Sequence, residues 1–139
     1  MKIFAAAMAA LLLIIALLAG YLYFINIISE GLLSHTEAIS AAAEEDDWET
    51  AQAELRGLLD KWEDAKLWMG IFIDHSEMDL INENLFGLKV YIKNENSDEA
   101  LAKLSVLENL IRHIAENERP SLENILKRMS PDYLFFHNI

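Results

Sequence analysis

Residues 48–72 read WETAQAELRGLLDKWEDAKLWMGIF, and their apolar spacing is the main indication of the fold. Two of its three tryptophans, two of its three alanines and several large apolar residues recur at alternating steps of three and four: Trp48, Ala51, Leu55, Leu58, Trp62, Ala65, Met69 and Phe72. Such steps keep all eight residues on one face of an α-helix for about seven turns. Most of the other positions are charged or polar. The stretch therefore predicts a long amphipathic helix that packs against other helices.

Three further segments repeat this spacing. One precedes the stretch (Ile28, Leu32, His35, Ile39, Ala42), and two follow it (Met78, Ile81, Leu85, Leu88, Ile92 and Ala100, Leu104, Leu107, Ile111, Ile114). Polar residues at 44–47 and 94–97 separate the segments. Residues 74–76 are ambiguous, because a register slip within one long helix would also fit. We expect a chain reversal there, since an unbroken helix over residues 48–93 would extend roughly 70 Å without support at its ends.

The polar breaks carry helix-start signals. Asp46 with Glu49 predicts a capping box, and Asn96 or Ser97 is expected to cap the later helix. After the two breaks, residues 51–55 and 100–104 resemble each other at an offset of 49 residues. This likeness suggests two stacked helical hairpins of similar construction.

The amino-acid composition argues against strands. Valine occurs only at positions 90 and 106 and threonine only at 36 and 50, and β-branched residues are the ones that strands favour. Proline is absent before Pro120, which is expected to begin a short last helix that ends before Pro131. We predict an all-α protein: an N-terminal transmembrane helix, then an antiparallel bundle of about four helices plus a short C-terminal helix.

The N-terminal residues have the properties of a membrane span. No charged residue lies between Lys2 and Glu30, and a span needs roughly 20 apolar residues. The aromatic residues Tyr21, Tyr23 and Phe24 fall where an interfacial belt is expected. Lys2 favours a cytoplasmic N-terminus and an extracytoplasmic C-terminal domain. The predicted organisation is an anchor at 1–29, a helical bundle at 30–129 and an apolar-aromatic tail at 130–139.

A cleaved signal peptide is the rival interpretation of this N-terminus. Its apolar region is normally about 7 to 15 residues, with a small-x-small cleavage site directly after it. Here the apolar run is longer, and residues 21–28 contain no such site. An uncleaved single-pass anchor in the cell membrane is therefore preferred.

The charge of the chain limits its partners. The formal net charge is −12, and without Lys2, the only charge before Glu30, it becomes −12 − 1 = −13 for the bundle. Phosphate backbones repel such a surface, so nucleic acid is not expected as a partner. The absence of cysteine excludes disulfides, thiolate nucleophiles and Cys-based zinc sites.

The order of features resembles a known family. These features are the N-terminal anchor, Trp48-x6-Leu55-x6-Trp62, His75-x-Glu77 and the stretch SLENI at residues 121–125. Together they resemble the uncharacterised DUF4363 family of small membrane-anchored bacterial proteins, up to about Leu126. The resemblance implies a tethered helical domain and assigns no chemistry.

Residues with catalytic or metal-binding chemistry are few. His75 and Asp79 are four apart and share a helix face, which makes them weak candidates for metal ligands. A di-metal site in a bundle needs Glu-x-x-His on two helices, and that motif does not occur in this chain. The row of apolar residues at three-four spacing is called here the seam. His75 is more simply explained as filling the point at which this spacing is irregular, and His35 as a residue of an apolar face whose ring is hydrogen-bonded. We expect no cofactor, no metal and no enzymatic activity.

The expected function is therefore interaction. The leading hypothesis is a scaffold module that acts on another membrane or envelope protein, with the lipid bilayer held through the N-terminal helix and a homo-oligomer as a further option. The alternatives are an extracytoplasmic small-molecule sensor or binding subunit and, less favoured, a metal-dependent enzyme. A membrane-proximal apolar collar is expected at residues 67–73 and 133–136, with Trp68, Phe72, Tyr133, Phe135 and Phe136 as contacts for lipid or a partner. The alternative for the collar is that both stretches complete the core.

Overall fold

The computed structural model describes residues 2–70 and 73–117, which form four helices. These are α1 (Lys2–Glu44), α2 (Trp48–Met69), α3 (His75–Lys93) and α4 (Ser97–Asn117). The described part contains no strand. The predicted all-α class is confirmed, while the short helix expected after Pro120 lies outside the described residues.

The four helices form an antiparallel bundle. α1 packs along α2 and α4, α3 packs along α4, and the contact between α2 and α3 is the least extensive of these. The chain reverses after Met69, and Asp74 caps the start of α3 by accepting a hydrogen bond from the Ser76 amide at 2.8 Å. The reversal expected at residues 74–76 is therefore confirmed, and a continuous helix is excluded.

Most of the core consists of residues that the three-four spacing singles out, with Ile25 and Ile73 added from outside the predicted segments. Trp62 is 2 % exposed and belongs to the buried cluster, whose other large members are Ile25, Leu32, Ile39, Leu55, Leu58, Met69, Ile73, Ile81, Leu85, Leu88, Ile92, Leu104, Leu107, Ile111 and Ile114. Trp48, Met78 and Ile28, also predicted for the seams, are half-buried at its margins. Burial of such side chains stabilises a fold by about 1.5–3 kcal/mol each.

Two asparagines of α3 make hydrogen bonds to neighbouring helices. The Trp62 indole N–H donates to Asn82 Oδ1 at 2.8 Å and so joins α2 to α3. Asn84, which is buried, donates to the Leu80 carbonyl at 2.7 Å and accepts from Lys103 Nζ at 3.2 Å. Because both groups of the Asn84 amide are satisfied, its burial carries no unpaired polar atom.

The α1–α2 and α3–α4 turns lie at the same end of the bundle, called here the upper end, and the α2–α3 connection lies at the lower end. The two upper turns have the same construction. Asp46 and Glu95 occupy the left-handed region, with φ of 56° and 55°, two residues after the ends of α1 and α3. The next residue in each turn, Asp47 or Asn96, donates its amide to the carbonyl five residues earlier. The corresponding positions are 49 residues apart, which is the offset of the sequence likeness. The two hairpins therefore share a turn as well as a sequence pattern.

The helix caps correct one expectation. Asp47, rather than Asp46, is the N-cap of α2, and its Oδ1 accepts from the Thr50 amide at 3.1 Å. Asp46 is unavailable because its left-handed backbone ends the preceding helix. In the second turn, Asn96 accepts from the Glu99 amide at 3.3 Å, which agrees with the sequence expectation.

Helix α1 continues without a break from the apolar segment into the bundle. Residues 3–20 are exposed over the whole circumference of the helix, and the first buried side chain among the described residues is that of Ile25. The helix is long and apolar enough to cross a membrane by length and composition, a property that signal sequences share. Ile25 and Ser29 fall within the predicted anchor at 1–29, yet they are already packed in the bundle. The helical bundle thus begins several residues before Glu30.

Candidate functional site

Two exposed apolar surfaces of the bundle are the strongest candidates for a functional site. The first, called here the lower surface, consists of Leu67 and Trp68 near the C-terminal end of α2. The second, called the outer face, consists of Phe86 and Val90 on α3. Large apolar side chains grouped on a surface are typical of contact sites, because water solvates them poorly.

The lower surface results from the orientation of α2. Its seam residues Trp62, Ala65 and Met69 turn inward, so Leu67 and Trp68 fall outside the core and are 75 % and 62 % exposed. On α1, Tyr23 and Phe24 are also exposed, at 71 % and 39 %. The sequence-based assignment of Trp68 to a position beside the seam agrees with this placement.

The predicted collar is thus divided by the structure. Leu67 and Trp68 are exposed, while Met69 and Ile73 are 1 % and 6 % exposed and complete the core. Of the five residues predicted as contacts, the structure places only Trp68. Phe72, Tyr133, Phe135 and Phe136 lie outside the described residues.

The outer face was missed at the sequence level. Phe86 is 71 % exposed and Val90 is 40 % exposed, and their spacing of four places them on the same side of α3. They lie between the seam residues Leu85, Leu88 and Ile92, which point into the core. The available signal was a pair of large apolar residues that are four apart and off the seam of α3.

The weak metal candidates both lie near the start of α3 and are exposed. His75 is the first residue of the helix and Asp79 is one turn further on. Beside them, the hydrogen bonds from the Ser76 amide and hydroxyl lower the pKa of Asp74. Within residues 2–70 and 73–117, no group of three or more His, Asp or Glu side chains has an arrangement that would hold a metal ion. The absence of a bound metal stays a prediction for elemental analysis.

His35 joins α1 to α2 and has a partner that the sequence did not identify. Its Nδ1 lies 2.7 Å from Glu54 Oε2, with both side chains about one-third exposed. The ring covers Gly57, where a Cβ atom would lie 2.6 Å from His35 Cε1. The arrangement fixes how α1 and α2 face each other.

A small cleft lies between α1 and α4. It has a volume of roughly 180 Å³ and is lined by Asn26, Ser29, Glu30 and Leu33 from α1 and by Arg112, Ala115 and Glu116 from α4. Ser29 is 2 % exposed, and its hydroxyl has no hydrogen-bond partner among the described residues. Arg112 reaches the Glu37 carboxylate at 3.8 Å, a long and exposed contact that stabilises little. The cleft is smaller than the 300–1,000 Å³ typical of small-molecule sites.

Comparison with known proteins identifies a family and no individual relative. No curated protein and no solved structure matches the chain. The match to the family covers residues 20–125, which is 106 of 139 residues and includes the upper part of α1, the other three helices and both turns. The chain therefore belongs to the DUF4363 family, a domain of unknown function.

Proposed function

We propose that the protein is a membrane-tethered helical module that docks another membrane or envelope protein outside the cytoplasm. The observation that supports docking is the exposure of Phe86, at 71 %, together with its neighbour Val90 on a helix whose opposite face is packed. An exposed aromatic residue on a rigid helix is the kind of anchor that dominates protein interfaces.

The position of the outer face favours a protein over lipid as its partner. Phe86 lies eleven residues after His75, at which α3 begins, and so lies about 16 Å above the lower end of the bundle. The proposed membrane tether is the lower part of α1, and it joins the bundle at that same lower end. Lipid chains do not extend so far above a membrane, whereas a neighbouring protein does.

Charge supports the choice of partner and the orientation. The chain has a formal net charge of −12, and its one charge before Glu30 is Lys2. The positive-inside tendency favours Lys2 in the cytoplasm and the bundle outside it. A partner with a basic rim around an apolar centre would be complementary to the bundle, and charge complementarity raises association rates.

Site-specific photocrosslinking in native membranes tests this proposal. A photoreactive phenylalanine analogue at position 86 is expected to give a discrete adduct, and the same probe at the exposed Glu83 of α3 serves as the matched control. Phe86→Glu should abolish the adduct that forms from a probe at position 90. An adduct of twice the mass of the chain would identify a second copy as the partner. Equal labelling from positions 83 and 86, unaffected by Phe86→Glu, would contradict docking at the outer face.

A small-molecule sensor is the second candidate, supported by the cleft that holds the unpaired Ser29 hydroxyl. Its small volume makes it the weaker proposal, since only a few non-hydrogen atoms fit in about 180 Å³. A Ser29→Ala variant would leave stability unchanged or higher if the cleft has no ligand, because it removes an unsatisfied buried polar group. No catalytic role is part of either proposal.

A further inference from the structure

We propose that the lower surface, Leu67 and Trp68, inserts into the interfacial layer of the bilayer that α1 crosses. This inference rests on the proposed tether and adds a second point of contact with the same membrane. It assigns lipid, rather than a protein, to the more exposed of the two apolar surfaces.

The length of the uncovered segment of α1, residues 3–20, implies that the bundle lies directly against the bilayer. Residues 3–20 of α1 are exposed on all sides, and these 18 residues extend about 27 Å. The hydrocarbon core of a bilayer is about 30 Å thick. A helix that crosses it therefore uses its whole uncovered length, and no aqueous gap is left between the bilayer and the first packed residues.

Contacts between α1 and α2 define which residues lie at the same height. Gly57 lies beside His35, and Gly31 lies beside Lys61, so the residue numbers of paired positions add up to 92 in both cases. The same sum pairs Leu67 with Ile25 and Trp68 with Phe24. The lower surface is therefore level with the first turn of α1 that packs in the bundle, directly above the uncovered segment.

The chemistry at this height suits the interfacial layer. Tyr23 and Phe24 are exposed on α1 beside the height of Leu67 and Trp68, so aromatic residues of two helices occupy one level. Tryptophan and tyrosine are enriched at this depth because their rings are apolar and carry one polar group. Asp74, exposed at the same end of the bundle, keeps the loop out of the hydrocarbon, because a carboxylate is costly to bury there. The two preferences together place the end of the bundle at the headgroups.

The experiment uses the full chain reconstituted in phosphatidylcholine vesicles, with bromine atoms on the lipid chains at either shallow or deep positions. Wild-type protein is expected to lose tryptophan emission with shallow bromines and much less with deep ones. Trp68→Phe should remove most of the quenchable emission, although two indoles of three remain. Trp48→Phe is the matched control and should leave the quenchable emission unchanged, because Trp48 lies twenty residues and about 30 Å further up α2.

Flotation of the same vesicles distinguishes a failure of the proposed insertion from a failure of the proposed tether. Protein that floats with the vesicles but shows the same quenching in wild type and Trp68→Phe overturns the insertion of the lower surface and leaves the tether intact. Protein that fails to float overturns the tether and the insertion together. Emission that is shifted to the blue without bromine quenching would indicate cover by a second copy, and this outcome also overturns insertion. Circular dichroism of both variants verifies that the helices are retained.

Discussion

The two halves of α1 are parts of one helix with opposite surroundings. Along residues 3–20 every side chain is exposed, although nearly all are aliphatic or alanine. Along residues 21–44, apolar side chains such as Ile25, Leu32 and Ile39 are buried, while polar ones such as Ser34 and Glu37 face outward. The change occurs within about one turn around Tyr21 to Ile25, without any break in the helix.

The difference shows that the distribution of apolar residues around a helix, rather than their number, indicates its surroundings. A stripe of apolar residues at steps of three and four needs neighbouring helices on one face only. The bundle supplies these neighbours for residues 21–44, the upper half of α1, whereas residues 3–20 are its lower half. Apolar residues on all sides cannot be covered by two neighbouring helices. For the lower half, the proposed tether makes lipid the surrounding medium. The predictions below test whether the two halves respond independently.

The largest expected effect is a loss of stability when Trp62 is replaced, because this change affects the bundle and not the lower half of α1. Trp62→Ala should lower the free energy of unfolding of the bundle by about 3–5 kcal/mol, because it removes a buried aromatic side chain and leaves Asn82 without its indole partner. A domain of this size has about 5–15 kcal/mol of stability, so the loss is a large fraction. The measurement is thermal unfolding of the full chain in detergent micelles, followed by circular dichroism.

Trp68→Ala is the control for this variant. Its side chain is exposed, so in detergent the free energy of unfolding should change by less than about 1 kcal/mol. Both variants should retain the helical signal of the lower half above the melting temperature of the bundle. Equal melting temperatures for the two variants would contradict the assignment of Trp62 to the core.

Two glycines at the α1–α2 contact should respond differently to alanine. At Gly57, a Cβ atom would lie 2.6 Å from the His35 ring, which cannot move without giving up its 2.7 Å contact with Glu54. At Gly31, the added atom meets the flexible end of Lys61, which can swing into solvent. Alanine itself favours a helix by about 1 kcal/mol over glycine.

We therefore expect Gly31→Ala to be neutral or stabilising and Gly57→Ala to be less stable than it by roughly 1–2 kcal/mol, since a hydrogen bond is lost. Chemical denaturation of the two variants side by side provides the comparison. Equal midpoints would show that His35 does not hold α1 against α2. In a His35→Ala background, Gly57→Ala should cause no further loss of stability, because the ring that obstructs the new methyl group and its hydrogen bond to Glu54 are already absent.

The smallest expected effect is a pH dependence at the helix caps. The Thr50 side chain and amide lower the pKa of Asp47, and the Ser76 amide and hydroxyl lower the pKa of Asp74. A lowered folded-state pKa means that the stabilisation is present above the unfolded value of 3.8 and is lost as the pH falls through the folded value.

A double variant, Asp47→Asn with Asp74→Asn, keeps cap acceptors that do not titrate. The melting temperature of the wild type should fall relative to this variant as the pH is lowered from about 5 to about 3. Parallel pH profiles of the two proteins would show that the caps do not contribute to acid sensitivity.

Most of the fold was accessible from the sequence because apolar spacing determines which helix faces are buried. The seams around Leu58, Leu88 and Leu107 are the core, and the reversal near Asp74 follows from helix length. The burial of Ile25 and Ser29 could not be predicted, because both lie in an uninterrupted apolar run and only tertiary packing distinguishes them from the residues before.

The details that depend on three-dimensional contacts were less accessible. The cap of α2 was predicted one residue early, since the left-handed backbone of Asp46 is a property of the turn. His35 was recognised as a satisfied residue, but its partner Glu54 could not be chosen among many carboxylates without the register of two helices. The exposure of Phe86 was overlooked because an off-seam aromatic residue is conspicuous only after the seam is known.

Cysteine accessibility tests the division of α1 most directly, and the chain has no cysteine of its own to interfere. Three single variants are treated in intact cells with a membrane-impermeant maleimide: Leu13→Cys, Ser34→Cys and Ile39→Cys. We predict that Ser34→Cys reacts at once, that Leu13→Cys reacts only after detergent dissolves the bilayer, and that Ile39→Cys reacts only after the bundle is denatured. Immediate reaction of Leu13→Cys in intact cells, or reaction of Ser34→Cys only after the cells are permeabilised, would contradict the lipid-embedded lower half or the extracytoplasmic bundle, respectively.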